Sequence, residues 1–139
     1  PRMRLDLLVN DFTYRAFNDG FIVIYEGGFK RNYIHVTDVA EAFLLAINNF
    51  DIMKGNIYNV GLSEANISKI DLCKLIKKQL PNFFIGEAPL QKDKDQRNYI
   101  VSNKKIEKLG FSPKVSIEMG IQELIKGYVT LNYKPYRNI

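Results

Sequence analysis

The stretch Lys30-Arg31-Asn32-Tyr33-Ile34-His35-Val36-Thr37-Asp38-Val39-Ala40-Glu41-Ala42-Phe43 decides the fold. An arginine leads into a short apolar run, which predicts a strand over Asn32 to Val36. Asp38, with Glu41 three residues later, fits the capping box of the amphipathic helix that follows. A strand that passes directly into a capped helix is typical of α/β proteins.

The remainder of the chain repeats this mixture of helical and extended patterns. An apolar stripe at helical spacing predicts a first helix over Met3 to Asp19. Glycine-bounded or alternating runs predict strands, and serine caps before apolar faces predict helices. The further predicted strands are Phe21 to Tyr25, Asn56 to Gly61 and Phe83 to Ile85; the further helices start at Ser68, run from Ser102 to Leu109, and run from Ile117 to Val129. Ala88 to Asn98 is polar and is predicted to be a loop.

Size and composition indicate one folded domain. The chain has 139 residues, of which 46% are apolar, and it carries a net charge of +5. No apolar run is long enough to cross a bilayer, and no secretory signal is visible. The single cysteine, Cys73, cannot form an internal disulfide, so we expect a reducing, cytoplasmic setting. The lysines are scattered at helical spacing, as on a solvated helix face, and no nucleic-acid-binding signature accompanies them.

Several segments together resemble one enzyme family. These are, in chain order, Pro1 to Asn10, Lys30 to Ala40, Ile57 to Gly61, Asp95 to Lys105 and Leu109 to Pro113. Their order and spacing resemble the C-terminal half of the NAD(P)-dependent nucleotide-sugar epimerases and dehydratases, which are extended short-chain dehydrogenase/reductase enzymes. The resemblance implies an α/β fold that is incomplete: the C-terminal part of a Rossmann-type fold, with few short strands and about five helices. Residues 1–139 would be the substrate-binding C-terminal portion, without the N-terminal dinucleotide-binding domain.

Two motifs of that family are absent from the chain. It has no Gly-x-x-Gly-x-x-Gly turn to hold a dinucleotide, and no Tyr is followed four residues later by Lys. We therefore expect NAD or NADP to bind the parent enzyme but not this chain alone. We likewise expect no catalytic, cofactor-binding or metal-ligating residue here, and no turnover by the isolated chain.

The resemblance assigns substrate-binding roles to five residues. Arg31 corresponds to a family arginine that contacts the diphosphate of a nucleoside-diphosphate sugar, and Arg97 is a second such candidate. Relatives carry another arginine just upstream of Arg97, where this chain has Lys94 as a possible substitute. Asn10 corresponds to a helix start that touches the diphosphate. Tyr25 ends a strand where relatives place an apolar or aromatic residue against the base.

Other polar residues are predicted to be structural. His35, the only histidine, alternates with apolar neighbours in the predicted strand, and one histidine with one distant cysteine forms neither a metal site nor a nucleophile pair. The parent would act on a nucleoside-diphosphate sugar by epimerisation, dehydration or another modification. It would be a possible homodimer and would need no nucleic acid and no membrane. Two alternatives stay open: a basic binding module for nucleic acid or another anionic partner, and a non-catalytic family remnant.

Overall fold

The computed structural model describes residues 4–88 and 97–130. Within these residues the chain forms helices and short strands in mixed order, so the predicted α/β class is confirmed. The elements are α1 (Leu8–Asn18), β1 (Phe21–Ile24), β2 (Lys30–Asn32), α2 (Val36–Asn48), α3 (Phe50–Met53), a 3₁₀ turn (Ser63–Ala65), β3 (Asn66–Ser68), α4 (Lys69–Gln79), β4 (Phe84–Glu87), α5 (Lys104–Glu107) and α6 (Ile117–Thr130). None of the helices in these residues is both long enough and apolar enough to span a membrane.

The described residues divide into two compact units. Unit 1 contains residues 4–29, 68–88 and 118–130, and unit 2 contains residues 30–67 and 97–117. Unit 1 therefore holds β1, β4, α1, α4 and nearly all of α6. Unit 2 holds β2, α2, α3, α5 and most of β3.

Unit 1 is built on a parallel pair of strands. β1 and β4 pair in register from Phe21 opposite Phe84 to Ile24 opposite Glu87. Side chains alternate across a strand, so Ile22 and Ile24 are buried on one face of β1. Parallel strands cannot be joined by a tight turn, and here the long connection between β1 and β4 includes α4.

The helices of unit 1 cover the buried side of this pair. α1 packs against β1 and α4, and its buried face is formed by Phe12, Thr13 and Ala16. α4 contributes side chains that are fully inaccessible to solvent, among them Leu72 and Ile76. A core with several completely buried apolar side chains provides most of the stabilisation available to a unit of this size.

Unit 2 has a smaller core. Its buried cluster contains Ala42 from α2, Met53 from α3, and Ile106 and Phe111 from the α5 region. β2 and β3 pair as a second short sheet. Much of the apolar surface of this unit stays exposed, notably at Phe43, Ile47, Phe50 and Ile57.

A close backbone approach in unit 2 requires a glycine. A Cβ atom built on Gly61 would lie 1.6 Å from the Asn32 side-chain oxygen. The Asn32 amide group is held in place because it donates to the carbonyl of Leu62, at 2.7 Å. A side chain at residue 61 would therefore have to displace the Asn32 amide and break its bond to Leu62.

The prediction that the first helix begins near Met3 is wrong for residues 4–7. Residues 4–7 are not helical, and α1 begins at Leu8; Met3 itself lies outside the described residues. The apolar stripe that suggested an earlier start includes Leu5, which is buried although it precedes the helix. Leu5 thus has the spacing of a helical core residue and is buried, but it is not part of a helix.

The start of α2 also differs from the prediction. The strand ends at Asn32 rather than Val36, and the helix begins at Val36 with His35 as its N-cap. Asp38 is buried and does not cap its own helix. Its two carboxylate oxygens accept the backbone N–H groups of Lys114 and Val115, at 2.9 and 3.1 Å. Asp38 therefore makes a long-range contact rather than the helix cap that its spacing from Glu41 predicted.

The predicted strand over Asn56 to Gly61 is not formed. Residues 56–60 belong to no strand and pair with none among the described residues, and Ile57 is 88% exposed. A strand needs a partner for its backbone groups, and the sequence of a segment cannot show whether one is present.

The later elements match the predictions more closely. Ser68 caps α4 through an N–H bond from Asp71, as predicted. The strand near Phe83 spans Phe84–Glu87, and the last helix begins at Ile117 as predicted. The short helix after Ser102 is capped at Asn103 and ends at Glu107, two residues before the predicted end. The short elements α3, β3 and the 3₁₀ turn were not predicted.

Candidate functional site

Arg31 is the best-defined candidate in unit 2. It lies at the centre of β2 and is only 5% exposed. Its Nη1 donates to the carbonyl of Lys30, at 2.9 Å, and its guanidinium carbon is 5.5 Å from the centroid of the Tyr99 ring. Burial of a cation is costly without hydrogen bonds and compensating contacts. These two contacts hold the guanidinium plane in a defined orientation.

The segment that contains Arg97 lies beside β2. The side-chain oxygen of Asn98 accepts the N–H of Lys30, at 2.9 Å, and Tyr99 N–H donates to the Lys30 carbonyl, at 3.3 Å. These bonds place Tyr99 over Arg31, while Arg97 itself is exposed. The structure therefore brings the segments of both predicted arginines together in unit 2.

Tyr25 belongs to unit 1. It follows the last residue of β1, is half-buried, and opens the turn over residues 25–29. The Tyr25 carbonyl accepts a hydrogen bond from the Nζ of buried Lys69, at 2.6 Å. The next residue, Glu26, has a φ of 50°. A positive φ at a residue with a side chain is uncommon, and it marks a turn whose shape is imposed by its surroundings.

Asn10 also belongs to unit 1, in the first turn of α1. Its side-chain amide donates to the carbonyl of Arg4, at 2.9 Å, and its own carbonyl accepts from the hydroxyl of Tyr128, at 3.1 Å. Because α1 begins at Leu8, Asn10 sits at a helix N-terminus, where N–H groups attract anions. Lys94, the remaining candidate, lies outside the described residues.

The residues predicted to be structural have structural contacts. Nδ1 of His35 accepts the N–H of Thr37, at 3.2 Å, as expected of an N-cap. Burial, with a smaller effect of the Glu87 charge, raises the pKa of Cys73 to about 12, so its thiol stays protonated and unreactive. Over residues 4–88 and 97–130, no group of His, Cys, Asp and Glu side chains is arranged to hold a metal ion.

Unit 2 also contains an apolar groove of about 180 Å³. It is lined by apolar side chains, among them Val39, Phe43, Met53, Tyr58, Val60 and Ile106. Few polar groups converge on it, so it suits an apolar side chain better than a diphosphate. It is distinct from the surroundings of Arg31.

Three of the residues that shape these sites were not identified from the sequence. Tyr99 and Asn98 act through long-range contacts to β2, 68 residues apart in the case of Asn98 and Lys30. Lys69 sits at the start of a helix and reads as one more surface lysine in a basic chain. No local pattern distinguishes a lysine whose ammonium is buried against a distant carbonyl.

Comparison with known proteins agrees with the sequence resemblance. Residues 2–61 match the family model of the NAD dependent epimerase/dehydratase family. The chain is 32% identical over 120 residues to the human dTDP-D-glucose 4,6-dehydratase, an alignment that covers 78% of the chain and 32% of that enzyme. The curated relatives that it matches are generally far longer, and the chain spans 19% of one from Arabidopsis thaliana.

Solved structures show the same partial correspondence. The UDP-glucose 4-epimerase of Thermotoga maritima, solved with UDP-glucose, superposes with a TM-score of 0.72 at 28% identity, over 91% of the chain and 40% of the epimerase. The dTDP-glucose 4,6-dehydratase of Bacillus anthracis, solved with NAD, gives a TM-score of 0.73 at 21% identity, over 95% and 42%. By sequence and by fold, this chain belongs to the NAD dependent epimerase/dehydratase family and corresponds to part of a Rossmann-type short-chain dehydrogenase/reductase fold.

Proposed function

We propose that the chain is the C-terminal, substrate-binding portion of an enzyme that epimerises, dehydrates or otherwise modifies a nucleoside-diphosphate sugar with bound NAD(P). The relatives named above are a dTDP-D-glucose dehydratase and a UDP-glucose epimerase. In such enzymes the nicotinamide performs the redox chemistry, and the protein binds and orients the sugar. The proposal gives this chain the binding part of that work.

The observation that carries the proposal is the setting of Arg31. It lies within the stretch that matches the family, and its guanidinium is buried and oriented by the Lys30 carbonyl and the Tyr99 ring. A guanidinium offers donors in a planar fork that matches two phosphate oxygens. Holding that fork in place before the ligand arrives reduces the entropy lost on binding. We assign Arg31 to the diphosphate.

The other candidates receive narrower roles. Arg97, exposed on the segment bonded to β2, and Lys94 would supply further positive charge for the diphosphate. Asn10, at the N-terminus of α1, would add a polar contact to it. The Tyr25 ring would stack against the base, and stacking of this kind provides affinity for any of the bases.

The exposed apolar surface of unit 2 supports the proposed division of the enzyme. Phe43, Ile47 and Ile57 are each more than two-thirds exposed, and the groove beside α2 is also apolar. Large exposed apolar surfaces mark protein interaction sites. We propose that the dinucleotide-binding portion of the parent enzyme packs here, and that residues 56–60 then pair as a strand.

Ligand titration of the 139-residue chain tests the assignment of Arg31. Chemical shifts in ¹H–¹⁵N spectra should move on addition of UDP or dTDP, with weak affinity because the rest of the pocket is missing. Arg31→Lys keeps the charge but loses the planar fork, and it should weaken binding by about 1.5 to 3 kcal/mol. Arg15→Lys is the matched control, since Arg15 is an exposed residue of α1 whose guanidinium pairs with Asp11.

If Arg31→Lys binds UDP or dTDP as tightly as the wild-type chain does, the assignment of Arg31 to the diphosphate is wrong. A thermal melt of both variants controls for folding, because Arg31 is buried. The chain alone should turn over neither UDP-glucose nor dTDP-glucose in the presence of NAD. Hydride transfer requires a bound nicotinamide and a positioned proton donor, and neither family motif is present. Measurable turnover would show that a catalytic pair went unrecognised.

A further inference from the structure

We propose that Lys69 is a positioning residue for the base-binding turn: its buried ammonium fixes residues 25–29 so that the Tyr25 ring is presented to the nucleobase. The inference rests on the proposed function and concerns unit 1 alone. It gives a binding role to a lysine that has no place in the reaction chemistry.

The ammonium of Lys69 is taken out of solvent to meet this turn. Lys69 is only 2% exposed, its Nζ donates to the Tyr25 carbonyl at 2.6 Å, and it lies 5.6 Å from the centroid of the Phe29 ring. A buried ammonium loses its hydration, so its contacts must be well aligned to compensate. A carbonyl and a ring at opposite ends of the turn are among the groups that contact this cation.

The first turn of α4 holds the same loop through its backbone. The N–H of Lys69 donates to the Phe29 carbonyl at 3.2 Å, and the N–H of Ile70 donates to the Gly27 carbonyl at 2.9 Å. These are N–H groups that a helix N-terminus leaves without intrahelical partners. Three carbonyls of the turn, at residues 25, 27 and 29, are therefore bonded to two consecutive residues of α4.

The turn is constrained on its other side as well. A Cβ atom on Gly27 would lie 2.9 Å from a carboxylate oxygen of Glu87 and 3.2 Å from Ile24. Glu26 is held at a φ of 50°, and its carbonyl accepts the N–H of Phe29 at 3.0 Å. The loop is thus constrained on both sides, and the Lys69–Tyr25 bond holds the residue at its start. Because Tyr25 is the residue assigned to the base, a displacement of its backbone would also displace the ring that contacts the base.

The test compares two ligands and two lysines. UDP carries a base and a diphosphate, whereas inorganic pyrophosphate carries the diphosphate alone. Lys69→Met keeps the aliphatic stem and removes the ammonium. Lys78→Met removes an exposed lysine of the same helix and serves as the control for lost net charge.

We expect Lys69→Met to weaken UDP binding by about 5- to 100-fold, the range for losing one base stack. Pyrophosphate affinity should change by less than about twofold, and Lys78→Met should change neither affinity by more than this. Tyr25→Ala should give the same loss for UDP, and the double variant should lose no more than either single variant. Lys69→Arg, which keeps a cationic donor, should restore most of the UDP affinity.

Each other result counts against the assignment. Unchanged UDP binding, or equal losses for UDP and pyrophosphate in a variant with a wild-type spectrum, would overturn it. If Lys69→Met fails to fold, Lys69→Arg decides: a loss of UDP affinity there also overturns it. If wild type binds neither ligand, the proposed function fails for this chain. In that case the NMR resonances of the Tyr25 ring test the role of Lys69 without any ligand. If these resonances are the same in Lys69→Met as in wild type, Lys69 does not position the ring.

Discussion

The two units bury their apolar side chains to different extents. Most of the buried apolar residues belong to unit 1, including the fully inaccessible Leu72, Cys73 and Ile76 of α4. Unit 2 buries far fewer, and α2 alone leaves Val36, Phe43 and Ile47 largely exposed. Unit 1 has the larger hydrophobic core, whereas unit 2 has a smaller core and leaves large apolar side chains exposed.

The strands show the same contrast. In unit 1, all four residues of β1 are in register with β4. In unit 2, residues 56–60 have a strand-like sequence but pair with no strand among the described residues. Among the described residues, β1 therefore has its pairing partner within unit 1, whereas the segment at residues 56–60 has none.

The largest expected effect comes from a matched pair of leucines. Leu72→Ala removes a fully buried side chain from unit 1 and should lower the free energy of unfolding by about 2 to 5 kcal/mol. Leu44→Ala removes a side chain of α2 that is 51% exposed and should cost less than about 1 kcal/mol. Urea denaturation followed by circular dichroism measures both. Equal costs would break the distinction between the units.

A second pair concerns the buried carboxylate of unit 2. Asp38→Asn replaces one acceptor of the Lys114 and Val115 N–H groups with a donor, and should destabilise unit 2 by about 1.5 to 3 kcal/mol. Asp51→Asn is the control, because Asp51 is 91% exposed in its ion pair with Lys54 and should matter by less than about 1 kcal/mol. The same denaturation experiment applies. A cost for Asp38→Asn no greater than for the control would mean that the loop at residues 114–115 is held by other contacts.

A pair of serines tests the smaller effect of helix capping. Ser68→Ala removes the N-cap of α4 and should cost about 1 kcal/mol. Ser102→Ala should cost almost nothing, because the N-cap position of the helix after it is occupied by Asn103 and not by Ser102. The Ser68 hydroxyl, followed by Lys74, holds the pKa of Asp71 below its ordinary 3.8. A lowered carboxyl pKa stabilises the fold above pH 3.8 and this stabilisation is lost on further acidification, so the difference between wild type and Ser68→Ala should shrink there. A difference that grows in acid contradicts this account.

The smallest expected signal is an absence of reaction at Cys73. Burial, with the Glu87 charge, raises the pKa of this thiol from 9.0 to about 12. A disulfide reagent at mildly alkaline pH should therefore label it only when unit 1 opens, and denatured chain is the control for full reactivity. A raised thiol pKa adds stability below pH 9.0 that is lost as the pH rises towards 12. Rapid labelling of native chain would show that unit 1 is less closed than its burial indicates.

Local signals in the sequence predicted much of unit 1. The Ser68 cap, the apolar face of α4 and the run at Phe21 depend on neighbours in the chain, and each formed as an element. The first helix failed at its start because Leu5 is buried by tertiary contact rather than by helical periodicity. Sequence reading was accurate where local and tertiary preferences coincide.

Prediction failed in unit 2 where a distant contact decides the structure. Asp38 has the spacing of a capping box, but its carboxylate binds backbone groups more than seventy residues later. Residues 56–60 have the β-branched and aromatic composition of a strand, but composition carries no information about the presence of a partner. At the candidate site, Arg31 was identified through family resemblance, whereas Tyr99 and Lys69 depend on contacts that only the fold shows.

The close approach of Gly61 to Asn32 has a consequence for mutational libraries. Any side chain at residue 61 begins with a Cβ atom, and that atom meets the Asn32 oxygen at bonding distance. When only this codon is randomised, we expect the folded clones to encode glycine at residue 61. Other amino acids should become acceptable only when residue 32 is shortened in the same clone, so the two codons are expected to vary together or not at all.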